Sequence, residues 1–180
     1  MTQANEMPTC PDDCTEKPGT MFEEPAILFL RDEDGHCVGY RRPTDEEEQK
    51  RLALATLEEA DFDEVEKASF GENTYEHGSG EFLVLTDDEA DDAAREYISE
   101  SVWAFRAEFL EHHTPEGVDA DTIRILQEKC EGANAALKGM ISDFDGFVED
   151  AVSADGRGHF LNHYDGAEHE VGEFYIYRTN

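Results

Sequence analysis

Phe82-Leu83-Val84-Leu85-Thr86-Asp87-Asp88-Glu89-Ala90 is the stretch whose reading decides the fold. Four apolar residues in a row read as a short strand. Thr86 with Glu89 three residues on reads as a capping box, in which hydroxyl and carboxylate each take the other residue's amide. A strand that runs straight into a capped helix implies a mixed α and β chain. That helix is expected to reach about Glu111. Ala94, Ile98, Val102, Phe105 and Phe109 fall on one apolar face at helical spacing.

Downstream, Ile123, Leu126, Cys130, Ala133, Leu137 and Met140 alternate steps of three and four, which predicts a helix from about Ala120 to Met140 with Cys130 in its seam. A further helix, about Ser142 to Ser153, presents Phe144, Phe147, Val148 and Ala151. The end of the chain reads as β. His159-Phe160-Leu161 is one strand, Tyr164-Asp165-Gly166 a turn, and Phe174-Tyr175-Ile176-Tyr177 the return.

Upstream, Ala26 to Leu30 and Cys37 to Tyr40 flank an Asp34-Gly35 turn signal and read as a hairpin. Thr44 and Glu47 suggest a second capping box, followed by Leu52, Leu54 and Leu57. Residues 71–80 are rich in turn formers and read as a linker, while Pro8, Pro11 and Pro18 punctuate a flexible N-terminal segment, residues 1–20. The expected organisation is therefore residues 1–20, a hairpin-plus-helix extension over 21–70, the linker, and a domain over 81–180. The fold class is α+β: two or three packed helices flanked by short antiparallel strands, with a C-terminal β-hairpin.

Charge is the outlying property. The 180 residues carry 45 acids against 14 Lys and Arg, a net charge of −31. Self-repulsion on this scale opposes compaction. High salt, a need for solubility, and imitation of nucleic acid each account for it. A domain of this length spans about 40 Å. Duplex DNA of that length carries about 24 negative charges, the same order as the excess here. A chain this acidic is repelled by a polyanion, so direct nucleic-acid binding is disfavoured. No segment approaches the ~18 apolar residues of a membrane span, and no secretory signal is expected.

The acids are patterned. Asp88, Asp92, Glu96 and Glu100 recur every four residues on the expected helix, and Asp87 and Asp91 widen that face. Glu58, Glu59, Asp61 and Asp63 extend the field from another part of the chain. These ten residues are the candidate partner-binding set. Asp155-Gly156-Arg157-Gly158-His159, with His163, Asp165 and His169, has the look of a site loop. It reads either as an acid–base or metal group or as a turn in which Arg157 pairs with acids. Cys10, Cys14, His36 and Cys37 supply four soft donors at a spacing looser than common zinc motifs, so neither a metal nor another cofactor is expected. There is no Walker loop, dinucleotide fingerprint, G-x-S-x-G or H-E-x-x-H, and an enzyme is not expected.

The segment Asp155 to Glu168, the ending Phe174 to Asn180, the opening Phe82 to Ala90, Trp103-Ala104-Phe105 and Gln127 to Asn134 resemble a family of small acidic bacteriophage and prophage proteins. The likeness covers about residues 81–180. It implies a phage origin and a setting in the cytoplasm of an infected bacterium, and it implies no catalytic residues. Together with the charge it leads to the expectation of an inhibitor. The partner would be a basic surface of a host nucleic-acid-binding defence complex, met by a DNA-mimicking face of the anti-restriction or anti-CRISPR type. Two other readings stay open: a small enzyme or metal protein using residues 156–169, and an acidic regulatory protein without mimicry.

Overall fold

The computed structural model describes residues 28–31 and 37–180. The segment 1–20, the Asp34-Gly35 turn and the candidate ligands Cys10, Cys14 and His36 lie outside them. The protein is α+β, as the sequence predicts.

Strands β1 (Leu28–Arg31) and β2 (Cys37–Arg41) pair antiparallel, with Leu28 opposite Arg41. Helix α1 (Glu46–Leu57) starts one residue later than Thr44 and Glu47 suggest. Asp45 is its N-cap, and its carboxylate accepts the Glu48 amide at 2.9 Å. The shift has an electrostatic cause. The Arg41 guanidinium grips Glu48 with two hydrogen bonds of 2.6 and 2.5 Å, and Glu48 in turn accepts the Thr44 amide at 2.8 Å. Glu47 is drawn instead to Lys67, at 2.6 Å.

A sheet follows, built from β3 (Glu66–Lys67), β4 (Thr74–His77), β5 (Gly80–Leu85), β6 (His169–Val171) and β7 (Phe174–Arg178), in the order β3-β4-β5-β7-β6. The pairs β3–β4, β4–β5 and β6–β7 are antiparallel. His77 lies opposite Gly80, so Gly78 and Ser79 form a two-residue hairpin turn. Residues 71–80 are thus part of the sheet and not a linker: their turn formers bracket a strand of only four residues. Alternate residues of β5, Phe82 and Val84, point to one face. They join Ala53, Leu54 and Ala55 of α1 with Val65, Tyr75, Phe174 and Ile176 in one buried cluster. Lys50 is 2% exposed at the edge of this packing, and its ammonium is held by Glu46 at 2.7 Å and by Asn73 at 3.0 Å.

The chain divides into two compact units. One holds the described residues up to Leu85 with His169–Ile176 and Asn180; the other holds Thr86–Glu168 and Tyr177–Thr179. The second unit is helical: α2 (Asp87–Glu100), α3 (Ala107–His113), α4 (Ala120–Gln127), α5 (Asn134–Met140), α6 (Phe144–Asp155) and α7 (Arg157–Leu161). The single helix expected from Thr86 to Glu111 breaks at Ser101, with no Gly or Pro to mark it. Two amide side chains from elsewhere serve the backbone groups that the break releases. Asn134 accepts the Trp103 amide at 3.1 Å and donates to the Ser99 carbonyl at 2.9 Å. Gln127 donates to the carbonyls of Trp103 and Phe105, at 2.8 and 2.7 Å.

The helix expected over Ala120–Met140 is likewise split, by a tight turn at Cys130–Ala133 in which Cys130 takes φ +50°. Ile123, Ala133 and Leu137 are buried as the seam predicts, but Cys130 is exposed and not a core residue. His159-Phe160-Leu161 is helical in α7, where a strand is expected. The C-terminal hairpin exists, but it joins β6 and β7, with Val171 opposite Phe174.

Two outcomes test these local arrangements. Replacing Asn134→Ala leaves a backbone donor and acceptor without their partner and is expected to cost about 2 kcal/mol in thermal or urea unfolding. Asn134→Asp, which keeps only the acceptor, should fall between it and the parent. Glu48 is the pH marker of the first unit. The Arg41 hydrogen bonds, followed by the Thr44 amide, depress its carboxyl from 4.5 to about 2. A depressed carboxyl stabilises the fold fully above its ordinary value, and that support fades as pH falls from about 4.5 towards about 2. An NMR titration of Glu48 should therefore show a midpoint near 2. A midpoint at the ordinary carboxylate value means that the Arg41 grip is absent in solution.

Candidate functional site: the acidic face of α2

Thr86 caps α2 as its sequence demands: it accepts the Glu89 amide at 3.4 Å, while Glu89 accepts the Thr86 amide at 2.8 Å. The three aspartate and glutamate side chains of the first turn suit the positive end of the helix dipole. Ala90, Ala94 and Ile98, four residues apart, are wholly buried and fix the rotation of the helix. That rotation turns Asp88, Asp92 and Glu96 outward, and Glu100 is also exposed. The four span roughly 18 Å along the axis at about 6 Å per step. None of them has a hydrogen-bond or ion-pair partner among the described residues. Arg95, the one basic residue of α2, reaches away to Asp145 of α6 at 2.5 Å.

Asp87 and Asp91 belong to a different arrangement. Both accept from Nη1 of Arg157, at 2.7 and 3.0 Å. Nε of the same guanidinium donates to Glu168 at 3.0 Å, and the Tyr177 hydroxyl donates to Glu168 at 2.5 Å. Burial pulls the Arg157 guanidinium down, but its bonds to Glu168 and Asp87 and the nearby Tyr177 outweigh that and push it above its ordinary value. Of the two readings of the Asp155–His159 segment, the structure takes the one in which Arg157 pairs with acids.

The glycines around Arg157 make this geometry possible. Gly156 adopts φ +78° where α6 ends, a region unfavourable to side chains, and so α7 starts at once in a new direction. Gly158 lies against the backbone of residues 166–167, and a Cβ there would sit 2.4 Å from the Gly166 oxygen. Asn162, 4% exposed, ties the same loop together: its amide donates to the Ala167 carbonyl at 2.7 Å, and its oxygen accepts the Tyr164 and Asp165 amides at 3.0 Å. Sequence reasoning passed over Asn162, although an Asn at the start of a turn is a signal for this motif.

The other candidate acids lie in the first unit. Glu58 is the C-cap of α1 and faces the His77 ring at 3.6 Å, while Glu59 takes φ +52°. Asp61 precedes a short 3-10 turn that contains Asp63. All four are exposed. His159 packs edge-on against Phe160, with ring centres 5.1 Å apart, and His163 packs against Tyr97 at 5.9 Å, whereas His169 is in β6 of the first unit. Among the described residues no group of three or more His, Cys, Asp and Glu is placed to hold a metal ion. Among them, too, no helix is long and apolar enough to cross a membrane.

The sequence also gave no warning of a cavity. A space of about 620 Å³ opens in the second unit beside the break at Ser101, walled by Tyr97, Phe105, Phe109 and Phe160. Phe105 and Phe109 are expected on a continuous apolar helix face. The break turns them into a half-buried wall instead.

Scans of protein-family models, of curated proteins and of solved structures find no match to this chain, so the site is read from its own geometry.

Arg157→Met tests the structural role of the pairing. It removes the shared partner of Asp87, Asp91 and Glu168 and is expected to destabilise the second unit by about 2 kcal/mol in chemical unfolding. Arg157→Lys keeps the charge without the planar fork and should recover only part of the loss. Full stability of the Met variant would show that the cluster contributes nothing.

Proposed function

We propose that this protein is a binding protein and not an enzyme, and that it works through the outward row Asp88, Asp92, Glu96 and Glu100. The row would face Arg and Lys of a basic, nucleic-acid-binding surface and take the places of phosphates. The single observation that carries this reading is that the four carboxylates are exposed and unpaired on one side of a well-capped helix. Over the same ~18 Å, one DNA strand presents about five phosphates. Asp87 and Asp91 support the row from behind, through Arg157, rather than meeting a partner. Glu58, Glu59, Asp61 and Asp63 add to the negative field that speeds encounter with a basic partner.

The phage-protein likeness expected for residues 81–180 would give the reading its biological form. The protein would be a phage-encoded inhibitor of anti-restriction or anti-CRISPR type, acting in the infected cell by competing with DNA for a host defence complex. No direct contact with nucleic acid or membrane is part of this reading.

Charge reversal is the test. Asp92→Lys with Glu96→Lys should weaken capture of a DNA-binding target by about tenfold or more, because repulsion replaces attraction. The fold should persist, since these positions are off the buried face and their removal relieves like-charge neighbours. Raising salt should weaken the parent complex. In a competition assay, excess duplex should displace the protein from its target. A target that keeps its DNA at unchanged affinity while this protein is bound would refute mimicry of DNA.

A further inference from the structure

The cavity beside Ser101 has an aromatic wall and is met by the C-terminal ends of two helices. Phe105 lies between two rings that run nearly parallel to it: Phe109, with centres 5.7 Å apart at 21°, and Phe160, 6.1 Å apart at 27°. Tyr97 continues the wall, 6.1 Å from Phe160, and is 41% exposed. The ends of two helices meet this space. Helix α2 stops at Glu100, and the next residue, Ser101, lines the cavity; α6 stops at Asp155, which lines it directly. Helix C-termini carry partial negative charge and favour cations. Neither of these helices has a basic residue in its last turn, and each ends on an acid. The Asp155 carboxylate has no hydrogen-bond or ion-pair partner among the described residues.

The lining has other polar groups: the Ser101 hydroxyl donates to the Tyr97 carbonyl at 2.7 Å, and His159, whose ring meets Phe160 edge-on, also lines the space. Glu108 is bonded to Arg124 and so is already neutralised. His112 uses Nδ1 on the Glu108 carbonyl at 2.7 Å. Arg106 is the cavity's own cation, and it lines the side from which α3 begins. The cavity's own basic groups are thus one guanidinium and the imidazoles of His112 and His159, in a chain whose net charge is −31.

We propose that this cavity takes an arginine side chain of the basic partner. The aliphatic stem and flat guanidinium would lie on the phenylalanine wall, and the guanidinium would reach Asp155 and the negative helix ends. Arginine suits such a place better than lysine because it stacks on aromatic faces and pairs with carboxylate through a planar fork. At about 620 Å³ the cavity also admits backbone flanking that side chain. The pocket gives the acidic face an anchor of the kind that concentrates binding energy in interfaces. This inference rests on the reading of the protein as a binder of basic surfaces.

The experiment uses the full chain and three capped tripeptides, glycine–X–glycine, with X as arginine, citrulline or glutamate. Trp103 is the only tryptophan and lies in the turn next to Phe105, so its fluorescence serves as one readout and NMR shifts of the wall residues as another. The arginine peptide should saturate the site. Citrulline, of nearly the same shape but uncharged, should bind about tenfold more weakly, and Asp155→Asn should weaken the arginine peptide by a similar factor. Arg106→Ala should bind the arginine peptide at least as well as the parent. Absence of saturable arginine binding overturns the proposal. So does preference for the glutamate peptide that disappears in Arg106→Ala, because the cavity would then be an anion site. The Asp92→Lys, Glu96→Lys variant separates the two readings. If it loses the protein target but keeps the peptide, both stand. If it keeps the target, the acidic-row reading fails while the cavity result is unaffected.

Discussion

A net charge of −31 leaves this chain short of cations, and where the few basic side chains go determines which parts of it are held and which are left bare. Arg157 illustrates the constraint. One guanidinium serves Asp87, Asp91 and Glu168, and with the Tyr177 hydroxyl it joins α2, α7 and the end of β7 within the second unit. Its side chain is 11% exposed, but Asp87 and Asp91 are 66% and 67% exposed, so the bond to Glu168, 32% exposed, is the least screened of the three. In the first unit, Arg41 and Lys50 hold Glu48 and Glu46, the acids of the first turn of α1 that would otherwise crowd one another. Each of these cations works where several carboxylates must approach closely. The outward side of α2 gets none.

The second unit also shows how polar side chains substitute for regular backbone pairing. A helix broken at Ser101 releases amides and carbonyls that would cost free energy if left without partners. Asn134 and Gln127 take up four of them from the start of α5 and the end of α4. The break therefore depends on residues more than twenty positions away. It has a packing consequence as well: Phe105 turns out of the helix line, packs 5.0 Å from Phe147, and opens the aromatic-walled cavity.

This dependence separates what the sequence discloses from what it conceals. The Thr86–Glu89 box, the α2 face of Ala94 and Ile98, the hairpin of β1 and β2 and the strand at Phe174 were legible because each is settled within a few residues. The break at Ser101 was not, since its cause is Asn134 and Gln127. Cys130 looked like a seam residue because spacing alone cannot register a positive φ. His159-Phe160-Leu161 has a strand-like composition, but Gly158 meets the backbone of residues 166–167, and that close approach holds the segment as a helix. The acidic stripe was legible as a stripe. Its division into paired and unpaired members was not, because Arg157 lies some seventy residues away from Asp87.

That division is the strongest physical clue to function. Asp87 and Asp88 are neighbours, as are Asp91 and Asp92, yet the first of each pair is bound to Arg157 and the second is not. The paired members explain themselves by stability. Of the unpaired ones, Asp88 suits the first turn, but like charges four residues apart on a helix disfavour it by a few tenths of a kcal/mol each, and Glu96 and Glu100 lie beyond that turn, where the dipole no longer helps. Glu100 is worse placed still, at the negative end of its helix. Nothing in the packing of α2 requires these four acids, because the buried positions are Ala90, Ala94 and Ile98. The proposed basic partner would favour negative charge at this spacing, which the packing of α2 leaves unexplained.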